Sequence, residues 1–156
     1  MVMENPEHSL VIFSVKGKPV GKARPRVVTV NGRAMAYTPQ ATADYEALVQ
    51  AEYLRQCGGA YFHRHVPLTV RIVAHMPIPK SINKAQREKM LRGAVPCTKK
   101  PDWDNIGKIV CDALNGVAWN DDAQIIQATV IKQYAADDHV GVQVVISEAR
   151  HEEVRV

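Results

Sequence analysis

The chain has few cysteines, few aromatic residues and no long apolar run, and each shortage argues against a class of protein. Its cysteines, Cys57, Cys97 and Cys111, are odd in number and lack metal-ligand spacing, which argues against a disulfide framework and a zinc site. No stretch approaches the roughly 18 consecutive apolar residues of a membrane span. Residues 1–8 are polar and acidic, unlike a signal peptide. We therefore expect a cytoplasmic protein without membrane contact.

Acidic residues are missing from a long early part of the chain. None lies between Glu7 and Asp44, where six bases occur, and the segment 80–100 has Glu88 as its only acid. From Pro101 onward, ten acids accompany four bases. Basic arms around an acidic centre suit a metal-dependent enzyme acting on a polyanion, because the bases attract phosphates and the carboxylates hold cations. Alternatively, the lysines and arginines simply keep surface loops solvated.

An amphipathic helix is predicted in the acidic part, because apolar residues recur there at helical spacing: Ile106, Ile109, Val110, Ala113 and Leu114. Gly116 supplies a stop, since glycine readily takes the left-handed conformation that ends helices. Asp104, Lys108 and Asp112 then lie along the opposite side of the helix. Asp102 stands just ahead of the first turn, where the helix dipole favours negative charge.

Each of these carboxylates has an ordinary structural explanation. Asp102 or Asp104 can cap the helix, Asp104 and Lys108 can form an ion pair, and Asn120-Asp121-Asp122 can be a polar turn. The whole set is harder to explain in this way, because capping needs one carboxylate and several unpaired ones repel each other unless a cation sits among them. Oxygen ligands without a neighbouring His or Cys suit Mg²⁺ or Mn²⁺ better than Zn²⁺.

Three consecutive motifs carry a specific resemblance: Asp102-Trp103-Asp104-Asn105 with Lys108, then Asp112-Ala113-Leu114, then Trp119 followed by Asp121-Asp122-Ala123-Gln124. This order and spacing resembles the signature of the RusA family of Holliday junction resolvases, which reads D-x-D-N-x-x-K, D-A-L, and a tryptophan shortly before D-D-x-Q. The likeness extends from about Gly17 to Tyr134, since it includes Arg24-Pro25-Arg26, Tyr37-Thr38-Pro39 and His75-Met76-Pro77.

The resemblance implies an endonuclease that depends on Mg²⁺, with Mn²⁺ able to substitute, and that resolves four-way DNA junctions in recombination and repair. It implies metal ligation by Asp102, Asp104 and Asp122, and Lys108 would stabilise charge in the transition state or position the attacking water. Supporting positions are Asn105, Asp112 and Asp121. A homodimer is also implied, because one site per chain must cut two strands related by the two-fold symmetry of a junction.

Contacts to branched DNA are predicted for eight bases: Lys22, Arg24, Arg26, Arg33, Lys84, Arg87, Lys99 and Lys100. Lys84 and Arg87 belong to a basic segment, about residues 80–93, that is interpreted as a flap-like insertion over the site or, equally, as a solvated helix. Some family members have an arginine directly before the first aspartate, where this chain has Pro101. Phosphate binding is therefore assigned to Lys99 or Lys100.

The apolar and turn patterns predict the elements in order: a strand at Leu10–Val15, a hairpin at Val27–Tyr37 about Asn31-Gly32, a helix from Thr38-Pro39 to about Gln56, a strand at Leu68–Met76, a short helix at Ser81–Arg92, the site helix, and strands at Ile125–Tyr134 and Val140–Ile146. Thr38 is predicted to cap the first helix, and Leu48 to face the core. The last two strands are predicted to pair as an antiparallel hairpin, and the strand at Leu68–Met76 to lie in the sheet's core.

These elements predict one α+β domain over residues 1–156, RusA-like, with a mixed sheet and two main helices. The apolar strands Leu68–Met76 and Ile125–Tyr134 are candidates for the dimer interface. The patterns leave the strand order open.

Other functional classes remain open at this point. An Asp-x-Asp pair also occurs in glycosyltransferases, but those need a nucleotide-binding domain that this length does not provide. A DNA-binding module without catalysis would use the basic arms alone. A nuclease acting on flaps or replication forks would share the same metal chemistry.

Overall fold

The computed structural model describes residues 10–149. They form an α+β domain with a mixed sheet, two main helices and one short helix, as predicted. The elements are β1 (Leu10–Lys16), β2 (Arg26–Val30), β3 (Arg33–Tyr37), α1 (Gln40–Cys57), β4 (Leu68–Pro77), α2 (Lys84–Leu91), α3 (Trp103–Leu114), β5 (Ile125–Ala135) and β6 (Gly141–Glu148), with 3₁₀ turns at Asp122–Gln124 and Asp137–His139.

The main sheet has four strands in the order β1-β6-β4-β5. Strand β4 is interior: it pairs parallel with β5 and antiparallel with β6. The predicted hairpin between β5 and β6 is therefore wrong, since β4 lies between them. Alternation along a strand reports which face is buried but not which strand is its partner, so the pattern could not separate these arrangements. The placement of β4 in the core of the sheet is confirmed, and even Val73, on its second face, is buried.

Helices α1 and α3 pack beside each other, α1 against β1 and α3 against β5. Phe13 of β1 meets Tyr53 of α1 edge to face, with ring centroids 5.3 Å apart. The whole apolar stripe predicted for α3 is buried. Two predictions for α1 are wrong: Leu48 is exposed, because the buried stripe runs through Thr42, Tyr45, Val49 and Tyr53, and the cap position is Pro39, so Thr38 lies outside the helix.

Strands β2 and β3 form a separate hairpin, paired from Arg26 with Tyr37 to Val30 with Arg33. The turn is Asn31-Gly32, and both residues have positive φ, 50° and 75°. These angles fit a type I′ turn, which requires positive φ at both central positions, and the predicted hairpin about Asn31-Gly32 is confirmed. All ten strand residues are exposed.

Helix α2 occupies the basic segment that was interpreted as a flap. It begins at Lys84 after Asn83, whose side-chain oxygen accepts a hydrogen bond from the Gln86 N–H at 2.9 Å, so the start predicted at Ser81 is three residues early. Met90 is buried in the core and anchors the helix. Among the helices of residues 10–149, none has the length and hydropathy needed to cross a membrane.

Candidate active site

Asp102 occupies the N-cap position of α3 but does not cap it with its side chain. Its Oδ1 instead accepts a hydrogen bond from Lys100 Nζ at 2.6 Å. This bond, helped by the positive charges of Lys100 and Lys132, lowers the pKa of Asp102 below its usual value. Capping therefore does not account for Asp102, whose carboxylate stays ionised and about half exposed at the start of the helix.

Asp104 and Lys108 lie one turn apart on the accessible side of α3. Asp104 Oδ2 and Lys108 Nζ are 3.9 Å apart, and both side chains are well exposed. An exposed pair at this distance contributes little to stability, at most a few tenths of a kcal/mol. Both groups therefore stay available to a ligand.

Asp112, the third polar residue on this side of α3, is engaged in an ion pair. Its Oδ2 lies 2.9 Å from Lys22 Nζ, which also bonds to Glu46. Burial opposes the charged form of Lys22, but the two carboxylates outweigh it and raise the pKa of this amine. The structure thus gives Lys22, predicted to bind DNA, two carboxylate partners, one of which is Asp112.

The two neighbouring aspartates after α3 have different surroundings. Asp121 Oδ1 accepts a hydrogen bond from the Ala123 N–H at 2.8 Å and caps the 3₁₀ turn, which lowers the pKa of Asp121. Burial, and then the neighbouring Asp121 and Asp112, raise the pKa of Asp122. Asp121 is therefore a structural residue, whereas Asp122 keeps its carboxylate near the accessible side of α3.

Gln124 holds this turn in place through both ends of its amide. Its Oε1 accepts hydrogen bonds from the N–H groups of Asn120 (2.9 Å) and Asp121 (3.1 Å). Its Nε2 donates to the carbonyls of His63 (2.8 Å) and Val66 (3.1 Å). The four bonds tie the aspartate turn to the loop before β4. The D-x-x-Q spacing of a capping box was the signal that could have identified this role.

Trp119 anchors the same turn from within the core. It is fully buried, and its indole N–H donates to Asn115 Oδ1 at 3.0 Å. The Gly116 N–H donates to the Trp119 carbonyl at 2.8 Å, with Gly116 in the left-handed conformation at φ 73°. The tryptophan of the motif is therefore part of the core, and the chain leaving it carries Asp121 and Asp122.

The carboxylates form an open line rather than a closed cage. At 1.5 Å per residue, Lys108 lies about 6 Å and Asp112 about 12 Å along the helix from Asp104. Asp122 lies near the later part of α3, because its charge acts on the Cys111 thiol there. Burial, and then the negative charges of Asp122 and Asp112, raise the pKa of this thiol to about 12. Within residues 10–149, no three His, Cys, Asp or Glu side chains converge on a point that could hold a metal. The donors are all oxygens, as Mg²⁺ prefers, but the ligand set stays a prediction.

A cleft of about 480 Å³ opens between Asp102 and the loop that follows β1. Its lining includes Lys18, Lys22 and Lys100. The loop is fixed to the start of α3, because the Lys22 N–H donates to the Asn105 carbonyl at 2.8 Å. Asn105, predicted as a supporting residue, thus holds the loop through its backbone carbonyl. Lys18 lines this cleft although it was not among the predicted DNA contacts.

Lys132 of β5 is a second residue that was not among the predicted DNA contacts. Its Nζ donates to the Lys99 carbonyl, and its charge helps to lower the pKa of Asp102. The strand register places it beside Ala74 on the face of the sheet that carries Val130, against which α3 packs. A lysine at an inward position of an otherwise alternating strand was the available signal.

The remaining predicted DNA contacts are spread over three regions. Arg24, Arg26 and Arg33 are exposed on the β2–β3 hairpin and its base. Lys84 is exposed and Arg87 half-buried on α2, while Lys99 and Lys100 are exposed directly before Asp102. The structure brings Lys100 to the carboxylates, and the other residues stay predictions.

Comparison with known proteins gives two matches. The model of the family described as endodeoxyribonuclease RusA matches residues 16–146, which include every predicted site residue. An uncharacterized protein of Bacillus subtilis (strain 168), YqaN, is 31% identical over 141 residues, covering 85% of this chain and 93% of the relative.

Proposed function

The chain belongs to the RusA family of endodeoxyribonucleases, and from this premise we propose that it is a Mg²⁺-dependent enzyme that resolves four-way DNA junctions by paired, symmetric hydrolysis of phosphodiester bonds. It acts in recombination and repair in the cytoplasm, where Mn²⁺ can replace Mg²⁺. Family membership supports the class of enzyme, an endonuclease acting on DNA. The substrate geometry, the metal and the homodimer are our proposal.

The observation that carries the mechanism is the division of work among the aspartates. Asp121 and Asp112 have structural partners, a backbone N–H and Lys22. Among residues 10–149, Asp102 and Asp104 form ion pairs with exposed lysines alone, whereas Asp122 forms no ion pair and bonds to the neighbouring Asp121 and to the backbone. The carboxylates left available are the three that the family motif assigns to the metal.

We assign Asp102, Asp104 and Asp122 as the residues that would hold Mg²⁺. When bound, the ion supplies charge to the phosphate oxygens and lowers the pKa of a water molecule that attacks phosphorus. Lys100, which donates to Asp102 Oδ1, would be available to the phosphate where the ion holds that carboxylate.

Lysines supply the other charges that hydrolysis needs. Lys108 lies between Asp104 and Asp112 on the accessible side of α3 and stabilises the charge that builds on the phosphate oxygens. Lys18 and Lys100 line the cleft beside Asp102 and bind the backbone of the strand to be cut. Lys132 holds the chain before Asp102 through the Lys99 carbonyl.

The homodimer needs an accessible surface, and the two candidate strands differ in this respect. Strand β4 is paired along both edges, so it offers no edge to a second copy. Strand β5 is at the edge of the sheet, and Ile126 on it is exposed. We therefore favour β5 for the contact between copies.

The experiment compares cleavage of a labelled mobile four-way junction with that of a linear duplex of equal length, with and without Mg²⁺. We expect paired nicks at symmetric positions in the junction only. Asp102→Asn and Asp122→Asn should abolish them while junction binding persists. The matched control is Asp121→Asn, because asparagine also caps a turn, and it should keep most of the activity.

Three outcomes would contradict the proposal. Equal nicking of both substrates, or of flaps and forks in preference to junctions, would leave a nuclease without junction specificity. Tight binding without nicking in the wild type would indicate a DNA-binding module. Equal loss of activity in Asp121→Asn and Asp122→Asn would remove the division of work among the aspartates.

A further inference from the structure

The β2–β3 hairpin exposes large apolar side chains that the fold does not use. Val27, Val28, Val30, Met35 and Tyr37 are all exposed, and the two strands form a sheet of their own. A lone two-stranded hairpin is only marginally stable in water, so apolar residues there are usually covered. Their exposure needs a reason other than packing within the described residues.

The register separates these side chains into two faces. One face carries three cross-strand pairs, Arg26 with Tyr37, Val28 with Met35 and Val30 with Arg33. The opposite face carries Val27 with Ala36 and Thr29 with Ala34. The first, which we call the arginine face, therefore has an apolar centre with an arginine toward each end.

Charge indicates what the arginine face contacts. No acid occurs in the sequence between Glu7 and Asp44, and neither Arg26 nor Arg33 pairs with an acid of residues 10–149. A second copy laid on this face would bring arginines against arginines with no carboxylate between them. A polyanion that also offers apolar surface fits better, and DNA does so wherever base stacking is interrupted.

The base of the hairpin lies at the candidate active site. The Lys22 N–H bonds to the Asn105 carbonyl, and β2 begins four residues later. Gly21 packs so closely on the start of α3 that an added Cβ would lie 2.7 Å from Pro101 Cβ. The hairpin therefore begins close to the N-terminal end of α3, where Asp102 and Asp104 lie.

We propose that the arginine face contacts the branch point of DNA. Arg26 and Arg33 bind phosphates of two adjoining arms, while Val28 and Met35 pack on a base that is unstacked where the arms meet. The inference rests on the proposed function, because a branched substrate supplies an unstacked base beside duplex arms. It adds a residue set that distinguishes a junction from a linear duplex, which charge alone does not do.

The test measures binding by the full-length protein in EDTA, so that no cleavage occurs. The probes are a synthetic four-way junction with 2-aminopurine beside the branch point and a linear duplex with the same label. Val28→Thr/Met35→Thr makes the arginine face polar, and threonine keeps the preference for strands. The matched control, Val27→Thr/Ala36→Thr, changes the cross-strand pair on the opposite face.

We expect Val28→Thr/Met35→Thr to weaken junction binding about tenfold, as for loss of one stacked base contact, and to leave duplex binding within about twofold. We expect 2-aminopurine fluorescence to rise when wild type binds the junction and not to rise with this variant. The control should match wild type. Arg26→Gln/Arg33→Gln should weaken binding to both DNAs. It should also reduce the slope of log K against log salt concentration by about two, one for each lost phosphate contact.

An unchanged junction-to-duplex ratio in Val28→Thr/Met35→Thr, or an equal loss in the control, would overturn the inference. The inference would also be overturned if, without DNA, wild type sedimented as a dimer and this variant as a monomer. The arginine face would then join two copies. The proposed function is judged separately by Mg²⁺-dependent cleavage: junction preference in EDTA without cleavage supports the hairpin contact while it removes the nuclease mechanism.

Discussion

Replacement of Gln124 by alanine tests whether the aspartate turn is held as described. Alanine removes four hydrogen bonds at once, two accepted from backbone N–H groups and two donated to backbone carbonyls. Each bond contributes about 1 kcal/mol, and because the side chain is half-buried, water replaces part of this. We expect the free energy of unfolding to fall by about 2–3 kcal/mol. The melting temperature should fall by about 4–12 °C.

The assay combines urea denaturation with junction cleavage. If the turn positions Asp122, Gln124→Ala should lower the cleavage rate at saturating Mg²⁺ while junction affinity in EDTA stays close to wild type. Gln124→Glu keeps the accepting oxygens but places a carboxylate against the carbonyls of His63 and Val66, so it should not rescue stability. Gln127→Ala is the control, because Gln127 is exposed and its side chain makes no hydrogen bond among residues 10–149. A loss in Gln124→Ala no larger than in this control would refute the reasoning.

The remaining predictions concern Trp103 and Lys22. The chain has two tryptophans, and Trp103, between Asp102 and Asp104, is 65% exposed whereas Trp119 is 0% exposed. Junction binding should therefore quench fluorescence in wild type but not in Trp103→Phe; quenching that persists in the variant would place the DNA elsewhere. Lys22→Met should lower the free energy of unfolding by about 1 kcal/mol, because it leaves Glu46 and Asp112 without their shared cation, and should change junction affinity little. A loss of affinity without loss of stability would contradict this.

Local features of the fold were predictable because local physics determines them. The 3.6-residue spacing of apolar side chains identified the buried face of α3, and the Asn31-Gly32 dipeptide identified the turn of the β2–β3 hairpin. The pairing of β4 with both β5 and β6 was not predictable, since alternation does not specify a partner. The start of α1 was predicted one residue early, with Thr38 as the cap instead of Pro39. A threonine before a proline is the usual pattern of a cap followed by proline at the first helical position.

In the candidate site, too, local spacing was predictable and contacts between distant segments were not. The helical spacing placed Asp104, Lys108 and Asp112 along one side of α3, and the structure agrees for Asp104 and Lys108, whose charged groups lie 3.9 Å apart. It also placed Asp102 just ahead of the helix, where the structure has it as the N-cap residue. Contacts between distant segments were not predicted: no local pattern indicates the ion pair of Lys22 with Glu46, 24 residues away. The DNA contact predicted for Lys22 stays a prediction. Lys132 comes to the site because α3 packs on β5. Its inward position on an alternating strand was a local signal, but that signal does not say which residue it approaches.

The strand order also bears on when the main sheet is completed during synthesis. β1, the first strand of the sheet to be made, pairs only with β6, the last one, from Leu10 opposite Ser147 to Lys16 opposite Gly141. A growing chain that has already released α3 from the ribosome therefore carries Asp102 and Asp104 without the sheet that supports them. Because pairing between segments far apart in sequence forms late, we expect the main sheet to be complete only once translation has passed β6. A chain that ends before β6 should therefore lack the β1–β6 pairing of the sheet.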